Sequence, residues 1–144
     1  METAIMNEAR ARDAWCRFPC SDLDKRCRQF SHTHEVAHAV HRGMGGDPKM
    51  TRTTRQSLLL LCPKRHQHHR FSVDQKTLKW EALTDEGTDG PIRWWVDVER
   101  LPLALREEWM MMPLDGWLLL ASESAPHIYL PFTEEQQDIL AAIQ

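Results

Sequence analysis

All four cysteines and seven of the eight histidines of this 144-residue chain fall within its first half. Both residue types ligate zinc and similar metals. Cys16-x3-Cys20-x6-Cys27 puts three thiols in one short stretch, and Cys62 stands just ahead of His66, His68 and His69. Taken alone, Cys62 reads as a small buried apolar residue and 66–69 as a surface tract. Taken together, four thiolates make a closed tetrahedral set with no open position, which is how a structural zinc is held. The spacing is wider than the C-x2-C pair of common zinc sites, so the grouping carries this reading rather than the spacing. Such a staple ties the N-terminal loop to the segment around Cys62 and substitutes for core in a loop-rich module.

Charge is divided along the chain. Residues 10–70 hold thirteen Lys/Arg against five Asp/Glu, a formal +8, while 71–144 hold five against fourteen, a formal −9. The net charge of −3 conceals this division. A basic half joined to an acidic half points to a polyanionic partner for the first. No run of 18 apolar residues is present, so no membrane span is expected. The opening METAIMNEARARDAW lacks the apolar core of a signal peptide. A cytoplasmic, reducing setting follows, where cysteines bind metal more often than they form disulfides.

The elements that must position these groups are short and mixed, so the expected fold class is α+β. Residues 3–15 read as a helix of good formers. Cys16 to Gln29 reads as a loop, and Thr33–Val40 as a strand. Gly43, Gly45, Gly46 and Pro48 impose a loop. The stretch 57–70 reads as a helix opening on an apolar turn, with a strand at Leu58–Leu61 and a helix start at Pro63 as the alternative. Residues 76–83 read as a strand, and the turn-rich 84–91 as a boundary. A zinc-stapled module over 1–91 and an acidic α/β extension over 92–144 result. The extension contains strands at 92–98, 117–121 and 127–130 and a short helix at 102–112. Its last helix is announced by the capping box Thr133-Glu134-Glu135-Gln136. Trp94, Trp95, Trp109 and Trp117 are expected in its core, Met110–Met112 at a helix edge, and His32, His34 and His41 at the surface.

Residues 35–46, EVAHAVHRGMGG, followed by SLLLLCPKRHQHH at 57–69, resemble the HNH (His-Me finger, ββα-metal) endonucleases, particularly small phage and bacterial members. WEALT at 80–84 through Asp89-Gly90-Pro91 is similar to the segment that follows the motif in some phage members. The resemblance covers about half the chain. It implies a two-strand-plus-helix hairpin that hydrolyses DNA with a divalent ion (Mg2+, Mn2+, Ni2+ or Zn2+) beside the structural Zn2+.

Carried over, the resemblance makes His38 the general base that takes a proton from the attacking water. Ser57 matches the central Asn that orients the base. His66 matches a helix metal ligand, and His69 one turn later stands in for the second, with His68 as the alternative. Arg42, Lys49, Arg52 and Arg55 would grip backbone phosphates. Three positions depart from the pattern. Ala37 stands where a ligating His or Asp is usual, Ser57 replaces Asn, and Arg65 replaces the second zinc cysteine, for which Cys27 compensates. Ala37 reads either as natural loss of a ligand in a protein kept for binding, or as an inactivating substitution of a native His. The implied function is DNA cleavage. The alternative is a non-catalytic zinc module that binds DNA or a protein, with the C-terminal extension available for partner contacts.

Overall fold

The computed structural model describes residues 3–20, 27, 34–38, 55–102 and 116–143. Helix α1 (Thr3–Asp13) follows the alanine-rich N-terminal stretch and stops where Ala14 turns to a positive φ of 63°. Strand β1 (Glu35–His38) pairs antiparallel with β2 (Leu58–Leu61) in the register Glu35↔Leu61 and Ala37↔Leu59.

The expected helix over 57–70 is not formed. All four leucines of β2 are buried. A strand covered on both faces reads as a continuous apolar run, which in sequence cannot be told from a buried helical turn. The helical part starts only at Pro63, whose φ of −54° suits that entry. It is a single wide turn, Lys64–His68, closed by the His69 N–H on the Lys64 carbonyl.

The free edge of β2 is covered by the end of α1. The Asp13 carboxylate accepts the Leu60 N–H at 2.8 Å, the Arg17 N–H donates to the Leu60 carbonyl at 2.8 Å, and Arg12 donates to the Leu58 carbonyl at 2.5 Å. Two side chains and the Arg17 backbone N–H thus satisfy backbone groups that an edge strand would expose.

A second, four-stranded antiparallel sheet contains β3 (Leu78–Ala82), β4 (Ile92–Asp97), β5 (Trp117–Ala125) and β6 (Ile128–Tyr129), in that order. Residues 84–91 connect β3 to β4, so the sheet continues across position 91. This connection docks on the turn Arg55–Ser57. Gly87 has a φ of 61°, and a Cβ there would lie 2.4 Å from the Gln56 carbonyl oxygen, so only glycine fits.

Along β4, Ile92, Trp94 and Val96 turn inward by strict alternation. They pack with Phe18, Phe71, Leu120 and the Ile139, Leu140 and Ile143 face of α2 (Glu134–Ala142). The expected capping box is present: the Thr133 hydroxyl accepts the Gln136 N–H at 3.1 Å, and the Gln136 side chain accepts the Thr133 N–H at 3.0 Å. The helix expected at 102–112, with Trp109 and Met110–Met112, falls largely outside the described residues, as do His32, His41 and the glycine loop. Trp94 is buried, while Trp95 and Trp117 are only half-buried. Among the described residues no helix is long and apolar enough to cross a membrane.

Candidate metal centre and the histidines beside it

Cys16 and Cys20 leave the end of α1, and Cys62 follows β2 directly, so the α1–β2 contact brings the three together with Cys27. All four are buried and unpaired as disulfides, and their sulfurs lie within 4.8 Å of one another. Around Cys20 the separations are 3.1 Å to Cys27, 3.5 Å to Cys16 and 4.0 Å to Cys62. A tetrahedral tetrathiolate with metal–sulfur bonds of about 2.3 Å has sulfur–sulfur edges of about 3.8 Å. The observed separations bracket that edge, so the four sulfurs can share one metal ion.

Their protons are unevenly held. Burial pushes the Cys16 thiol well above its usual range, while hydrogen bonds from Cys16, Cys20 and Cys62 pull Cys27 far down. Cys62 is lowered to about 7, chiefly by its hydrogen bond with Cys16.

His34, expected at the surface, is 3% exposed. Its Nε2 lies 2.6 Å from the Cys27 carbonyl oxygen and 3.6 Å from the Cys27 sulfur. That placement is the reason for its burial: it braces the one cysteine that comes from outside the α1 end and β2.

His66 and His69 make other contacts. His66 Nδ1 is 2.8 Å from Glu35 Oε1, and its Nε2 is 3.8 Å from Asp74 Oδ1. Gln67 donates to both oxygens of the same Glu35. Glu35 on β1 thus reaches across to the helical turn, a contact the sequence reading missed. His69 is not on the helical turn but caps it. Its Nδ1 accepts the Phe71 N–H at 3.0 Å, which leaves only Nε2 for other use. The backbone of His38 lies in β1 opposite Leu58. Its side chain, that of His68, and Arg42, Lys49 and Arg52 all lie outside the described residues.

Ser57 sits immediately before β2. Arg55 is half-exposed, and its Nε holds Asp89 at 2.9 Å. Ala37 is 0% exposed and faces Leu59 in the core, so an imidazole at this position would have to enter the leucine-lined interior.

Also missed was a buried ionic network behind the cysteines. Arg17, 0% exposed, forms a fork with Glu123 at 2.7 and 2.8 Å. It also bonds Asp13 at 3.0 Å and the carbonyls of Thr88 and Gly90. Glu123 in turn accepts the N–H groups of Ile92 and His127. With Arg12 holding Asp13 at 2.8 Å as the second cation, the network fastens the cysteine loop to the four-stranded sheet. Its Arg17–Glu123 contact joins residues 106 apart in sequence, so no local pattern could have revealed it.

These features define a small α+β protein of two antiparallel sheets with a buried four-cysteine cluster able to hold a metal ion. Comparison with protein-family models, curated proteins and solved structures finds no match.

Proposed function

We propose that this chain is a zinc-stapled nuclease module of the HNH type that hydrolyses phosphodiester bonds in DNA. The observation that carries this reading is the convergence of Cys16, Cys20, Cys27 and Cys62 beside an antiparallel hairpin. The first strand of that hairpin ends at His38, and a helical turn bearing His66 follows the second. Zinc is the ion a closed set of four thiolates favours. It would hold the hairpin to the end of α1 and take no part in the chemistry.

His38 acts as the general base toward the attacking water, which requires a neutral imidazole. His66 is oriented by Glu35: a carboxylate accepting the Nδ1 proton leaves the Nε2 lone pair for a ligand, on the side where Asp74 stands. His66 and His69 would hold a divalent ion, which would supply charge neutralisation at the scissile phosphate and the leaving oxygen. Ser57 keeps a hydroxyl near the start of β2, and Arg42, Lys49, Arg52 and Arg55 bind backbone phosphates without reading sequence.

The test is relaxation of supercoiled plasmid with Mg2+, Mn2+, Ni2+ or Zn2+. The expected result is slow nicking that disappears in H38A and H66A, both still carrying one zinc and melting as the parent does. Inertness of the parent with every ion, its zinc intact, overturns the nuclease reading.

A second reading is favoured by one observation. Ala37 fits its leucine-lined position as a methyl, so the ligand that the resemblance expects there is absent. On that reading the module binds DNA or a protein partner without cutting. Salt-dependent binding of duplex DNA by an inert chain would identify it.

A further inference from the structure

Arg65 follows Cys62 by three residues and is 1% exposed. Among the described residues its donors meet only neutral acceptors: the Phe71 carbonyl at 3.1 Å and the Ile143 carbonyl at 2.8 Å. Its Nε is buried without a hydrogen-bond acceptor. Among the described residues no carboxylate forms an ion pair with it. The guanidinium lies 5.0 Å from the ring centre of Phe18, which stands between Cys16 and Cys20 in the chain. A buried cation left so incompletely paired is costly unless a nearby negative charge answers it.

Four thiolates around a divalent ion carry a formal charge of −2, fixed in place by the metal, whereas without it Cys16 and Cys20 keep their protons. Among the described residues, the four sulfurs are the groups acting on the guanidinium whose charge depends on the metal. Burial pulls the guanidinium's affinity for its proton down, and the four sulfurs raise it again. The carbonyl of Ile143 belongs to the residue that ends α2, where the helix dipole is negative.

We propose that Arg65 is the buried counter-charge of the metal centre and the group through which metal occupancy is felt by the C-terminal helix α2. This rests on the metal-centre half of the proposed function and is independent of DNA cleavage. When the site is loaded, the dianionic centre holds the guanidinium in place, and Arg65 in turn fastens the Ile143 carbonyl. Without the metal no fixed dianion faces Arg65, whose hydrogen-bond acceptors among the described residues are two carbonyls, so the end of α2 is held less firmly than the sheet it packs on.

The test is hydrogen exchange of the full chain with zinc and with zinc removed by chelation, read at residues 139–143 relative to β4 and β5. The expected result is at least about tenfold greater protection of 139–143 with metal, beyond any change in the sheet. Arg65→Met should abolish that difference and weaken zinc about 10- to 100-fold in competition with a chromophoric chelator, as loss of a supporting group does. Arg65→Lys should recover part of the affinity. Equal relative protection with and without zinc overturns the coupling, and parental zinc affinity in Arg65→Met overturns the counter-charge. If removing zinc unfolds the whole chain, the affinities alone decide. A chain that takes up no zinc overturns the metal centre and this proposal together, whereas absence of plasmid cleavage touches neither.

Discussion

Cys62 bridges β2 and the cysteine loop, and that position makes it the most exposed test of the centre. Cys62→Ser should reduce bound zinc from one ion per chain to none and loosen the N-terminal half, because metal binding and folding are coupled there. Metal analysis beside a thermal melt checks this, and a metal-free variant with the parent's melting curve would dismiss the staple. Ala37 behaves oppositely. Its methyl is fully enclosed opposite Leu59, so Ala37→His should destabilise the chain by about 1–3 kcal/mol through overpacking. Denaturant unfolding measures that, and an unchanged midpoint would mean that the ring escapes toward solvent. Glu123 carries the charge that answers Arg17. Glu123→Ala leaves that guanidinium with Asp13 and carbonyls, a loss of about 3–5 kcal/mol for one partner of a buried pair.

Among the elements, β2 has the largest share of the organisation. It pairs with β1 on one edge, on the other donates to Asp13 and accepts from Arg17 and Arg12, and it delivers Cys62 to the thiols. The connection 84–91 docks on the turn just before it, so Gly87→Ala should transmit strain to this strand through the Gln56 carbonyl. Helix α2 is simpler. Thr133→Ala removes one side of the capping box and should cost about 1 kcal/mol. A calorimetric midpoint unchanged within error would show that packing of Ile139, Leu140 and Ile143 alone holds the helix.

For the whole molecule, a +8 segment precedes a −9 segment, yet the two share one core. Binding to duplex DNA through the basic half should weaken steeply between about 50 and 200 mM salt and show little sequence preference, because released counterions dominate such binding. Fluorescence anisotropy on two unrelated duplexes measures both properties. Affinity that is flat with salt removes DNA as the partner.

Local chemistry was legible wherever the pattern and its cause lie close together. The four cysteines announced a cluster able to hold a metal ion, alternation announced β4, and Thr133 with Gln136 announced the start of α2, because ligand type, pleat and cap are properties of a few neighbouring residues. Leu58–Leu61 was misread, since an apolar run buried on both faces has no period to distinguish strand from helix. His34 was misplaced because its burial depends on Cys27, and Glu35 was overlooked because its partner His66 is brought by the hairpin. Arg17 and Arg65 show the limit most plainly. A charged residue is written identically whether it meets water or a buried partner, and only the folded chain places Glu123, Ile143 and the thiols around these two cations.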